Sequence, residues 1–136
     1  MPFKIKNGKI KIRFFNYIYL YYKDCTFIKQ REEKDIWQGL YEFPLIETKS
    51  KCTIEELLQS KEWTSLFKNV HVYIIGNAKR YKHQLTHRTI EVEFIHVKID
   101  ELPPELSQKY TMIKQADLQS YPVSRLIDKY LQDTVN

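Results

Sequence analysis

The side chains best suited to chemistry in this sequence crowd into one stretch, Lys79 to Arg88. At its centre Gln84-Leu85-Thr86-His87 sets an amide, an apolar side chain, a hydroxyl and an imidazole in succession. Lys79, Arg80, Lys82, His83 and Arg88 surround it. A hydroxyl beside an imidazole can pair with a base edge, Leu85 can wedge apolarly, and the cations can hold phosphates. No acid interrupts the chain from Lys68 to Thr89. The plainer alternative is an ordinary polar hairpin loop, and composition alone favours it.

Other candidates fare worse. His83 and His87 stand four apart, as metal ligands do on a helix, but their neighbours are not helical in pattern and no Glu follows His83 as a zinc-protease motif requires. Cys25 and Cys52 are too few for an iron–sulfur cluster or a Cys-rich zinc site. They read as reduced packing residues of a chain without a secretion signal. The acid pairs Glu32-Glu33, Glu55-Glu56 and Asp100-Glu101 read as solvated surface, because adjacent residues seldom face one site. Three isolated glycines make no phosphate loop, and no local nucleophile–base motif occurs. No catalytic residue, metal or cofactor is therefore assigned to this chain.

Lys and Arg outnumber Asp and Glu by 22 to 17, giving +5, which favours a polyanionic partner. The excess has two addresses. One is the stretch just described. The other is the first thirteen residues, with Lys4, Lys6, Lys9, Lys11 and Arg13 and no acid, which read as a basic arm or linker over 1–13 ahead of a domain over 14–136. The expected backbone-binding cations are Lys9, Lys11, Arg13, Lys79, Arg80, Lys82 and Arg88. No apolar run approaches the length of a membrane-crossing helix, so no membrane partner is expected.

The elements that must position these groups follow from patterning. At 136 residues and 43% hydrophobic content the chain suits one compact domain. Phe14 to Tyr22 is apolar on both alternating faces, as in a strand covered on both sides, and the turn at Lys23-Asp24 predicts a hairpin with Thr26 to Gln30. Ile36 to Pro44 predicts a short strand stopped by Pro44, with Gly39 at a turn. Thr53 to Glu56 forms a capping box, so a helix starts there, with a possible break before Trp63. Val70 to Ile75 and Arg88 to Ile99 alternate as strands, the second with Ile90, Val92 and Phe94 on one face. Gly76 to His87 between them predicts a long polar hairpin or loop. Pro103-Pro104 closes the second of these strands, Tyr110 to Lys114 predicts a short strand, and Pro122 is expected to open a C-terminal helix. This order indicates an α+β fold.

Several stretches in this order resemble the C-terminal domain of MutY-type adenine DNA glycosylases. Lys9 to Tyr17 is similar to that family's basic linker and first strand. Asp35-Ile36-Trp37-Gln38-Gly39-Leu40-Tyr41-Glu42-Phe43-Pro44 is the most specific match. Lys82 to His87 resembles its lesion-reading loop, and Tyr121 to Leu126 its closing helix. The resemblance implies a nudix-like fold, a mixed β-sheet flanked by helices, that helps find 8-oxoguanine paired with adenine in double-stranded DNA. It implies a catalytic domain absent from this chain, carrying an acidic catalytic residue and a 4Fe–4S cluster, onto which this domain docks, and a cytoplasmic, bacterial-type, nucleoid-associated location. Leu85, Thr86 and His87 fall where the family commonly has phenylalanine, serine and histidine. Thr86 keeps the hydroxyl, while Leu85 departs from the aromatic wedge.

Two other functions compete. A stand-alone nudix pyrophosphohydrolase would need several carboxylates on one helix to hold Mg2+. The Ile54 to Ser60 segment offers only Glu55 and Glu56, without the signature's arginine-glutamate core. A protein-interaction module would use the ten tyrosines as a recognition face, but tyrosines more often serve core and sheet.

Overall fold

The computed structural model describes residues 11–135. Strand β1 (Lys11–Tyr21) is its spine. Phe15, Tyr17 and Tyr19 project to one side, Ile18 and Leu20 to the other, and all are buried. A strand apolar on both faces is stable only where both are covered and both edges are paired. β1 pairs antiparallel with β4 (Leu45–Thr48) and parallel with β7 (Arg88–Ile99), with Lys11 opposite Arg88 and Tyr21 opposite Lys98.

The outer edge of β7 is covered by two strands in tandem. β5 (Val72–Ile74) pairs with Ile99 to Val97, and β6 (Lys79–Gln84) with Phe94 to Thr89. Between them the chain bulges, Gly76 taking φ +66°. Of the polar hairpin or loop expected from Gly76 to His87, the structure forms the hairpin: half of the stretch is an edge strand paired with β7. Its lysines give no apolar period, but they suit an edge that must not recruit further strands.

The hairpin expected between Phe14–Tyr22 and Thr26–Gln30 is also only partly formed. Lys23 and Asp24 turn the chain with positive φ, Tyr22 and Cys25 make one bridge, and the strands then part. β2 (Cys25–Gln30) is the centre of a second, three-stranded sheet between β3 (Tyr41–Glu42) and β8 (Thr111–Lys114). Ile36 to Gly39 is turn, not strand, and Gly39 takes φ +86° there.

Helices cover both faces of the main sheet. α1 (Ile54–Leu58) starts with the capping box of Thr53 and Glu56. The chain restarts as α2 (Lys61–Phe67), where the Ser60 hydroxyl accepts from the Trp63 N–H. α3 (Pro104–Lys109) was not expected from sequence, yet Pro104 sits where a first-turn proline is tolerated. These three pack Leu57, Trp63, Leu66, Phe67 and Leu106 on Ile18, Leu20, Ile95, Val97 and Ile99. On the opposite face α4 (Arg125–Val135) lays Leu126, Ile127 and Tyr130 on Phe15, Tyr17 and Phe94. The Tyr130 and Phe94 rings stack at 4.2 Å, 5° from parallel. Pro122 does not open α4. Ser124 caps it, its hydroxyl accepting from the Ile127 N–H at 3.2 Å, while the Pro122 carbonyl accepts from Tyr41. The result is an α+β fold, a mixed sheet flanked by helices. No helix among the described residues is long and apolar enough to cross a membrane.

Candidate nucleic-acid interface

β6 and β7 are joined by a tight turn whose tip is Leu85-Thr86-His87. The Leu85 N–H donates to the Arg88 carbonyl at 2.7 Å, which closes the turn. Thr86 and His87 are exposed and Leu85 is half-buried. The beginning of β1 reaches the same tip, because the Lys11 N–H donates to the His87 carbonyl at 3.2 Å. Lys11 and Arg88 are directly opposite one another in the parallel register, so their side chains leave the same face of the sheet. Lys82 lies one strand further out, opposite Glu91. Lys11, Lys82 and Arg88 are all exposed, and none joins an ion pair among the described residues. Lys82 points to the other face of the sheet, because Glu91 and Arg88 are three apart on β7. A hydroxyl, an imidazole and the free cations Lys11 and Arg88 at one end can contact both a base edge and the backbone beside it.

The remaining cations predicted from sequence behave differently. Lys9 lies outside the described residues, as does most of the basic arm over 1–13; its last three residues begin β1. Arg13 is taken up by protein. It donates twice to the Glu47 carboxylate at 2.8 Å and reaches Asp35 at 3.3 Å and Glu33 at 3.5 Å. Arg80 pairs with Glu93 at 3.0 Å while staying largely exposed. The Lys79 ammonium leans toward the Asp133 carbonyl at 3.5 Å, near the end of α4. The structure therefore brings Lys11 and Arg88 together beside the tip, sets Lys82 on the other face of the sheet, and holds Arg13 and Arg80 in ion pairs.

Arg13 belongs to a network that sequence reading missed. Arg31, 4% exposed, donates to Asp35 at 2.6 Å and to Glu42 at 3.1 Å, and the Tyr17 hydroxyl donates to Glu42 at 2.6 Å. Both guanidiniums also lie about 5 Å from the Phe15 ring centroid, Arg13 at 4.9 Å and Arg31 at 5.0 Å. Burial pushes the Asp35 carboxyl up, but hydrogen bonds from Arg31, the Trp37 N–H and Arg13 outweigh it and hold it below the ordinary value. Burial dominates at Glu42 and lifts it despite Tyr17 and Arg31. Buried ions persist only when paired and hydrogen-bonded, so these side chains form a lock that ties residues 31–42 to β1. The signal in the sequence was Arg31 and Asp35 one helical turn apart beside an apolar run, which is easily taken for solvated charge.

A profile of the NUDIX domain matches residues 16–133. The chain belongs to the NUDIX domain family. No curated protein sequence matches it. Among solved structures it is similar to the C-terminal domain of mouse MUTYH in complex with human PCNA (TM-score 0.60, 14% identity, 88% of this chain and 85% of that one). It is also similar to the Escherichia coli ORF135 protein in solution (TM-score 0.59, 15% identity, 85% and 83%). A third likeness is to MutT from Aliivibrio salmonicida and Vibrio cholerae (TM-score 0.53, 13% identity, 90% and 96%). At these identities the likeness establishes the fold alone.

NUDIX hydrolysis uses Mg2+, and the donors present do not fit it. Among the described residues no three His, Cys, Asp or Glu side chains come together as a metal site. Glu56 on α1 is spent on the Thr53 N–H at 2.8 Å, and Asp35, Glu42 and Glu47 face arginines.

Proposed function

We propose that this NUDIX domain is the lesion-recognition part of a MutY-type adenine DNA glycosylase, engaging double-stranded DNA in which 8-oxoguanine is paired with adenine. The observation that carries the reading is the Leu85-Thr86-His87 tip, with Thr86 and His87 exposed, free Lys11 and Arg88 beside it on one face and free Lys82 on the other. Guanine N7 only accepts a hydrogen bond, whereas 8-oxoguanine presents an N7–H donor next to a C8 carbonyl acceptor. The Thr86 hydroxyl, able to donate and accept, can meet both changed atoms. His87 supplies a further donor, Leu85 an apolar contact, and the three cations hold phosphates without regard to sequence. Adenine removal then belongs to a separate catalytic domain carrying an acidic residue and a 4Fe–4S cluster, and this domain places that one on the mispair.

The carboxylates locked against Arg13 and Arg31 weigh against a stand-alone pyrophosphohydrolase. The test is binding of the chain to duplexes that differ only in the C8 oxygen of one guanine, with the wild type and a Leu85, Thr86, His87 triple alanine variant. Preference for the oxidised duplex that vanishes in the variant is expected. Equal discrimination by both proteins would remove the tip assignment.

A further inference from the structure

Trp37 stands between the charge network and the hairpin tip. Its indole is 6% exposed, with the Phe15 ring centroid 5.7 Å away and the His83 imidazole centroid 5.8 Å away. Its backbone is fixed as well: the Trp37 N–H donates to Asp35 at 3.1 Å, and that carboxylate is gripped by Arg31 at 2.6 Å and Arg13 at 3.3 Å. His83 lies on β6 opposite Ile90, which is buried in the same cluster as Trp37. Only Gln84 and Leu85 separate His83 from Thr86.

A hairpin end exposed to solvent bends easily, and telling N7 from N7–H demands placement of a hydroxyl within about 0.5 Å. Beyond its own turn, the tip has the Lys11–His87 backbone bond on one side. On the other side stands the Trp37–His83 contact. We propose that Trp37 is a positioning residue for the tip: through His83 it sets the angle at which the β6–β7 hairpin presents Thr86 and His87. The consequence for DNA rests on the lesion-recognition reading; the mechanical coupling does not. A Trp37 that merely fills the core would support the whole domain equally and would show no special partnership with His83.

A double-mutant cycle on the full chain separates these cases: Trp37→Ala, His83→Ala, the pair together, and Trp37→Phe. The first readout is amide hydrogen exchange at Leu85 and Lys11, whose N–H groups hold the turn and tie β1 to it, compared with amides in the middle of β1. The second is the affinity ratio for 8-oxoguanine:adenine over guanine:adenine duplexes. Each single alanine should speed exchange at Leu85 and Lys11 by roughly fivefold or more relative to central β1. The double variant should add little to either single, and Trp37→Phe should restore most of the protection. The affinity ratio should fall while binding to undamaged duplex holds. Additive effects, or faster exchange spread evenly through β1, would overturn the proposal. Should Trp37→Ala fail to fold, Trp37→Leu, which removes the aromatic ring and keeps apolar bulk, takes its place in the cycle with His83→Ala. A wild type with no preference for the oxidised base would defeat the lesion-recognition reading, while the exchange cycle would still decide the coupling.

Discussion

Arg13 grips the Glu47 carboxylate through two hydrogen bonds of 2.8 Å, bridging the first turn-free stretch of β1 to β4. Sequence spacing groups Arg13 with the arm's cations expected to bind DNA; its partners make it a structural strut.

Arg13→Ala should therefore act on stability more than on DNA. The pair is partly exposed and solvent screens it, so a loss of roughly 1 kcal/mol is expected from chemical denaturation. The salt dependence of duplex binding should stay close to wild type. A drop in that dependence without loss of stability would return Arg13 to the DNA surface.

Lys11, Lys82 and Arg88 should behave in the opposite way. Each alanine substitution should weaken binding to all duplexes alike and lower the slope of log affinity against log salt by about 0.9. Arg80→Ala should have a smaller effect, because Glu93 already neutralises it at 3.0 Å. Titration of each variant at several salt concentrations checks this ordering.

The large strands were legible because burial dictates their apolar pattern, a continuous run where both faces are covered at once and an alternation where they are covered in turn. Arg88 to Ile99 alternates on one face through Ile90, Val92 and Phe94 and then on the other through Ile95, Val97 and Ile99, and the capping box at Thr53 marks its helix start unambiguously. β6 was not legible, since Lys79 to Gln84 is polar at an edge where one side faces water. α3 is a six-residue helix hidden behind a Pro-Pro step. The tip was visible as a cluster of residue types. Its free and engaged cations could not be sorted, because Arg13 finds Glu47 and Arg80 finds Glu93 only through strand pairing distant in sequence.

Acid stability should carry the mark of Asp35. Its carboxyl sits below the ordinary 3.8 in the folded chain, so it contributes stability present above that value and lost as the pH falls through the folded one. Glu42 runs the other way. Its value is raised above 4.5, so its protonation favours the fold as the pH falls toward 4.5. Asp35→Asn should lower stability at neutral pH and flatten the loss below pH 3.8. Denaturation midpoints across that window check it, and an unchanged acid limb would show that Arg31 and Arg13 do not depend on the Asp35 charge.

If the tip reads the lesion as proposed, its preference rests on Thr86, and the most direct measurement compares Thr86→Val and Thr86→Ser with wild type on duplexes holding 8-oxoguanine or guanine opposite adenine. Valine keeps the shape and removes the hydroxyl, so it should lose most of the preference for the oxidised base while binding to the guanine duplex is unchanged. Serine should keep the preference. A valine variant that still favours 8-oxoguanine as strongly as wild type would contradict the assignment of the Leu85-Thr86-His87 tip as the reader of the lesion.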